Sequence, residues 1–309
     1  MKNAEPRPAE YSVHPVKKLV PLQWTIQIRR LRLILRAPVP YLMRKFALYL
    51  SPRPRVEKTK RITRRRGFGW VSIEEFPFGK ALMDEGSQII GRKKQDFQPT
   101  LSVSKNVLLS ADEFSNNETL MNFALSDPML TYVGRYLGEA PVFYGGTLWW
   151  GKRGALQDGW FHLDSLDAQI IRLYIYFSDV ELGSGPLCLL SARDTQRFCR
   201  RTHFRSGHPE DDVVFSVIDR RRLIEIVGPR GTAFAVDACR CLHYGSRMLD
   251  SDRLAMVITY GPYHNRDSLA ATCRSIKPVP EESRLRRLAR QHFLYPATDD
   301  PSAAKVTAV

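Results

Sequence analysis

The sequence predicts a mainly β core, a sandwich or closed barrel, with helices packed outside it. Three observations carry this reading. Strand-like runs dominate after Pro141, helix-like runs precede it, and turn signals separate the strands. With 309 residues, 43% of them apolar, the chain can bury a sizeable core.

The elements follow in chain order from Gly67. VSIEEF at 71–76 predicts a short strand and KALMDEGSQIIGR at 80–92 a helix. Asn116 or Asn117 is placed to cap the helical NETLMNFAL, and Asp127 with Pro128 opens a second helix through MLTYVGRYLG. The β runs are VFYGGTLWWG (142–151), AQIIRLYIYFSDV (168–180), GPLCLL (185–190), GTAFAVD (231–237) and RLAMVITYG (253–261). KRGALQDG, ELGSG and GPRG mark turns between them. RDTQRFCRRTHFR at 193–205 reads as an arginine-faced helix and SRLRRLARQH at 283–292 as a surface helix. The tail 297–309 has nothing to anchor it.

The net charge of +15 is not spread along the chain. Residues 1–66 hold 18 Lys/Arg against 3 Glu, whereas 67–309 hold 29 basic and 29 acidic residues. A basic leader therefore precedes a neutral body at 67–296, which excludes a uniformly basic nucleic-acid-coating protein. Within LQWTIQIRRLRLILR (22–36), Trp24, Ile28, Leu31 and Leu35 recur at helical spacing with Arg29, Arg32 and Arg36 on the other side. Pro38 and Pro40 are expected to end that segment, and YLMRKFALYL (41–50) follows. Three readings of the leader stand open. Residues 22–50 can lie on an anionic membrane surface, grip nucleic-acid phosphates, or pack on the protein's own body. Scarce aromatics in the basic run make nucleic acid the least favoured of the three. No charge-free stretch is long enough to span a bilayer, and the first residues lack the apolar run of a secretory signal. Five cysteines without a CxxC spacing fit a reducing compartment. The expected location is the cytoplasm, with room for peripheral attachment to the inner face of a membrane.

In GWFHLDSL, His162 and Asp164 stand two apart, a spacing that aims both side chains to one face of an extended strand. His243 follows the strand GTAFAVD, and Arg253 begins the last long strand ten residues later. Two imidazoles and a carboxylate on one face of a β core are the donor set of a non-haem Fe(II) facial triad. Arg253, fork-shaped and always charged, suits a carboxylate clamp beside it. Arg247 is a second arginine near His243, but it falls in a turn. Trp149, Trp150, Trp160 and Phe161 flank the HxD segment, and Trp150 is a candidate pocket wall. Arg193 and Arg197 lie on one face of the 193–205 helix, where they can meet a phosphate or carboxylate of a substrate or simply be solvated.

These residues, WFHLDS (160–165), YIYFSDVELGSGPLCLLSAR (174–193) and GTAFAVDACRCLHYGSRMLDSDRLAMVITY (231–260), resemble the phytanoyl-CoA dioxygenase family of Fe(II)/2-oxoglutarate oxygenases. The likeness covers about residues 140–262: an HxD, a strand, a Gly-Pro turn, a distal His, then an Arg about ten residues on. It implies a double-stranded β-helix (jelly-roll, cupin-like) core with Fe(II) held by His162, Asp164 and His243. It also implies Arg253 on the distal carboxylate of 2-oxoglutarate and O2 as oxidant; Tyr174, on the strand after HxD, is a candidate hydrogen-bond partner of the same cosubstrate. Many members carry a Pro-Gly-Ser-His element where this chain reads SARD (191–194), which leaves the local lid open to question. Asp164, retained where related halogenases have a small residue, points to hydroxylation, desaturation or another oxidation rather than halogenation. The charge pattern leans toward an anionic, membrane-associated substrate: a lipid, an acyl-CoA, or a lipid-linked sugar such as an inner-core sugar acid of lipopolysaccharide. A soluble natural-product intermediate is the alternative. A reading from another class is a non-catalytic membrane or nucleic-acid adaptor on an oxygenase fold.

Overall fold

The longest strand, β3 (Val142–Gly151), pairs along its whole length with β9 (Arg253–Gly261), and the two form the spine of the molecule. The protein is described by a computed structural model covering residues 28, 31–32, 34–35, 38–52, 57–96, 106–153, 159–164, 169–245, 247, 250–263 and 282–290. Around the spine lie β1 (Phe68–Val71), β2 (Asn106–Leu109), β4 (Ile171–Tyr176) and β7 (Ala233–Asp237), giving an antiparallel sheet in the order β1-β7-β4-β9-β3-β2. A smaller antiparallel sheet holds β6 (Ile224–Ile226), β5 (Leu187–Leu189) and β8 (His243–Tyr244), in that order. An antiparallel bridge between His162 and His243 extends this second sheet beyond β8.

The route of the chain defines the fold. It passes from β3 in the large sheet to His162 in the small one, back to β4, and across to β5 and β6. It then returns to β7, crosses to β8 and ends in β9. This alternation between two facing antiparallel sheets is a double-stranded β-helix, the core that the sequence likeness implies.

Period-2 alternation sorts the strand side chains into two layers. Arg172, Tyr174, Tyr176, Phe234, Val236, Ala255 and Val257 belong to the layer between the sheets, where Leu187, Leu189 and Ile226 meet them. Leu173, Ile175, Ala235, Leu254, Met256 and Ile258 face outward, onto the helices. Those helices are α1 (Pro38–Leu50), α2 (Gly79–Asp96), α3 (Ala111–Ser115), α4 (Glu118–Ala124) and α5 (Asp127–Leu137). Near the end of the chain, α8 (Arg284–Ala289) joins them through buried Leu285 and Ala289. α6 (Ala192–Thr202) and α7 (Asp211–Phe215) cover the outer side of the small sheet through Phe198 and Val214.

Local chemistry accounts for the helix ends. Asn117 accepts a hydrogen bond from the Leu120 amide, so it, and not Asn116, caps α4. Pro128 opens α5, and Gly138 closes it at φ +84°, a left-handed conformation that costs glycine nothing. Gly146 lets the Phe114 ring reach the β3 backbone; a Cβ there would stand 2.4 Å from that ring.

One expectation, the strand at 71–76, is corrected: it lies at Phe68–Val71, and Ile73–Glu75 is a 3-10 turn. Pro38 and Pro40 stand in the first turn of α1, which has no intrahelical amide bonds for them to break; residues 36–37 before them lie outside the described residues. The expected surface helix at 283–292 is α8, buried along one side. The Ala192 and Arg193 amides donate to the Arg66 and Arg65 carbonyls, and α1 packs on the body through Arg44, Ala47 and Leu48. Most of residues 1–37 and the tail 297–309 lie outside the described residues. Among the described residues no helix is long and apolar enough to cross a membrane.

Arg44 anchors α1. It is buried, and it donates to the carbonyls of Ala140 (3.1 Å), Pro141 (3.1 Å) and Leu288 (2.8 Å). Burial pushes its guanidinium down to about 10, so it remains charged at neutral pH. Arg44→Ala strands three carbonyls and opens a cavity; the expected loss is about 2–4 kcal/mol, checked by denaturant unfolding.

Candidate metal centre

The metal centre is built from one backbone register. His162 and His243 exchange both backbone hydrogen bonds, 2.9 and 3.0 Å, so their side chains leave the small sheet on the same face. Their ring centroids lie 4.4 Å apart. Asp164, two residues along, is fixed by its amide bonding to the Ala238 carbonyl (3.0 Å) and brings its carboxylate to the same side. Asp164 Oδ1 lies 3.7 Å from His162 Nε2 and 3.9 Å from His243 Nε2. One ligand atom from each residue falls within 4.8 Å of the others.

The other atoms of these side chains are already committed. His162 Nδ1 donates to the Trp160 carbonyl (2.9 Å) and His243 Nδ1 to the Cys241 carbonyl (2.8 Å). Each imidazole therefore keeps a lone pair on Nε2, aimed toward the shared point. Burial pushes the His243 imidazole down to about 4, despite Asp164 nearby, so it is neutral and able to ligate at physiological pH. Asp164 Oδ2 pairs with Arg172 Nη2 at 2.7 Å, leaving Oδ1 on the side of the histidines. Two imidazole nitrogens and one oriented carboxylate oxygen, tied from behind, fit a divalent metal and suit Fe(II).

Arg172 is the functional residue that sequence reading missed. Its signal is visible afterwards: it is the one charged residue in the apolar strand IIRLYIY. It shares the inner layer with Tyr174, to which its side chain is hydrogen-bonded. Its Nε is buried with no acceptor among the described residues. Because Arg172 orients a ligand from behind, Arg172→Met is expected to weaken Co(II) or Mn(II) binding by about 10–100-fold, measured by titration of the metal-free protein.

Arg253 is buried on the inner face at the start of β9. It donates through Nη1 to the carbonyl of Gly185, in the Gly-Pro turn. Gly245, just past β8, lies against it: a Cβ there would be 3.7 Å from Nη2. Tyr174 stacks on Phe234 (5.1 Å, 8°), and its hydroxyl feels both Arg172 and Arg253. Burial raises its phenol, so it stays protonated and can donate. Arg247, the competing arginine, is used elsewhere. It grips Asp211 with two bonds of 2.9 Å, donates to the Gly159 carbonyl and lies 3.5 Å from the centre of the Tyr244 ring.

One substrate-side expectation is not met. Trp150 does not wall a pocket; it points outward into the helix-facing core, and its indole N–H donates to Asp252 (2.8 Å). Trp149, its neighbour on the opposite face of β3, packs against the inner layer. Arg193 and Arg197 stand exposed on the solvent side of α6, opposite Ala192, Thr195 and Phe198. The SARD segment forms the N-cap of α6: Ser191 accepts from the Asp194 amide, and Asp194 pairs with Arg222. His208, which sequence reading gave no role, is exposed with its ring 5.8 Å from that of His162.

No family model and no curated protein matches the chain. Among solved structures it is similar to HygX from Streptomyces hygroscopicus with nickel and 2-oxoglutarate bound, at 16% identity over 64% of this chain and 83% of that one, TM-score 0.44. It is also similar to EctD from S. alaskensis in its apoform (13%, 70% and 89%, TM-score 0.48). A third is AviO1 from Streptomyces viridochromogenes Tue57 (13%, 77% and 98%, TM-score 0.45). Identities and overlaps this low carry no chemistry across; the strand order and the donor geometry of this chain define its fold and its site. That combination is a double-stranded β-helix with a two-histidine, one-carboxylate centre.

Proposed function

We propose that the protein is an Fe(II)- and 2-oxoglutarate-dependent dioxygenase that hydroxylates a C–H bond of an anionic substrate. The observation that carries this is the convergence of His162 Nε2, His243 Nε2 and Asp164 Oδ1, with every other polar atom of the three turned away from the shared point. A facial set of three protein donors leaves the opposite coordination positions to cosubstrate and O2. The iron and 2-oxoglutarate supply the oxidising chemistry when bound, with succinate and CO2 as co-products. This chain supplies placement. Arg253 offers a buried guanidinium to the distal carboxylate of 2-oxoglutarate, and Tyr174 an adjacent hydroxyl. Arg172 holds Asp164 in position and keeps one donor, Nε, for an anionic group.

The substrate class rests on charge. The two inner-layer arginines and the basic leader favour a carboxylate- or phosphate-bearing molecule, a lipid or a lipid-linked sugar; an inner-core sugar acid of lipopolysaccharide is one such molecule. An acyl-CoA or another soluble anion would satisfy the same arginines. The test is succinate formation from 2-oxoglutarate by the iron-loaded protein under air, then comparison of lipid and glycan extracts incubated with active protein or with His162→Ala. A gain of one oxygen in an anionic lipid or glycan supports the reading. Absence of succinate under every condition overturns the enzyme assignment and favours a non-catalytic adaptor.

A further inference from the structure

Helix α1 is inverted relative to an ordinary surface helix. Its buried residues are Arg44, Ala47 and Leu48, and Arg44 is bonded to three body carbonyls. Its exposed residues are apolar: Val39, Leu42, Met43, Phe46, Tyr49 and Leu50 are each 50–75% exposed. Their spacing, with 39, 42, 43, 46 and 50 at i, i+3, i+4, i+7 and i+11, makes one stripe. Before α1, the helical residues Ile28, Leu31 and Leu35 are exposed as well. Nine of the sixteen large exposed apolar residues among those described fall in residues 28–50, so this is a concentrated patch and not scattered surface. These side chains face away from the body, whereas Arg44, Ala47 and Leu48 on the other side of α1 face it.

Charge identifies what covers the patch. Residues 28–50 contain no Asp or Glu. Exposed Arg32, Lys45 and Arg287 lie in or beside these helices, and Arg284 stands 6.0 Å from the centre of the Phe46 ring. An apolar stripe among cations, on a helix fixed to a folded body, matches the surface of an anionic bilayer. The stripe would enter the acyl boundary and the cations would meet the headgroups. Nucleic acid would satisfy the cations but leave the stripe in water. A second copy of this face would bring two cationic patches together.

We propose that α1, with the helical residues before it, docks the protein on an anionic lipid surface. This deepens the reading of a membrane-held substrate, and its test needs no turnover, so either can fail without the other. The full-length protein is sedimented with vesicles of phosphatidylglycerol and phosphatidylcholine, and with phosphatidylcholine alone. Binding to the anionic vesicles should be at least about tenfold tighter and should weaken with salt. Leu42→Ser with Phe46→Ser should reduce it by at least about tenfold, with the thermal unfolding midpoint unchanged because both side chains are exposed. Failure of the wild type to bind at low salt overturns the proposal, as does equal binding by the double variant. A dimer in sedimentation velocity that these substitutions disperse, without vesicle binding, assigns the face to a second copy instead.

Discussion

Replacing His162 or His243 with alanine is expected to remove divalent-metal binding, and with it 2-oxoglutarate turnover, while leaving the protein folded. Each residue contributes one of three donor atoms, so its loss should cost more than the about 10–100-fold in affinity that loss of an outer partner costs. Folding should survive because the contact that joins the two positions is backbone to backbone. Alanine keeps both of those hydrogen bonds and gives up the imidazole contacts: those to the Trp160 and Cys241 carbonyls, the ring contacts and the approach to Asp164. Metal titration and thermal unfolding on the same preparation separate the two effects. A variant with near wild-type turnover would show that the triad is misassigned.

Arg253→Ala is expected to raise the 2-oxoglutarate requirement by about 30-fold or more, since truncating one partner of a buried, charge-assisted pair costs about 2–5 kcal/mol. Its metal affinity should change little, because the Gly185 carbonyl that Arg253 bonds lies outside the triad. Arg247→Ala is the control. That side chain ties Asp211 of α7 to the segment before His162, so its loss should lower the unfolding midpoint and leave the 2-oxoglutarate requirement near that of the wild type. A reversal of these two outcomes would exchange the roles of the arginines.

The sequence was most legible where the signals are long or chemically marked. The limits of β3 and β9 match the apolar runs 142–151 and 253–261, and α5 lies between its proline and its glycine. The triad was readable because HxD spacing becomes same-face geometry on an extended chain. Short elements were not readable: β6 has three residues and β8 two, too few to show a period, and they form only because neighbouring strands pair with them. Side-chain polarity misled in two places. Trp150 lies one residue out of phase with the inner layer, and a shift of one residue reverses the face. In α1 the helical period was visible, but which face meets the body was not. Arg44 is buried only because the Ala140, Pro141 and Leu288 carbonyls, distant in sequence, receive it. Arg172 was passed over for the same reason: its partner Asp164 becomes visible only when β4 lies beside the HxD segment.

The central claim is a single Fe(II) site that binds 2-oxoglutarate within reach of Arg253. Anaerobic titration of Fe(II) into the metal-free protein, with 2-oxoglutarate present, tests it directly through the visible charge-transfer band of the iron–2-oxoglutarate chelate. The wild type should develop the band and saturate at one iron per chain, Arg253→Ala should need more 2-oxoglutarate to reach the same absorbance, and His243→Ala should show none. A wild-type protein that develops no band at saturating iron and 2-oxoglutarate, or a band that persists undiminished in His243→Ala, would contradict the assignment.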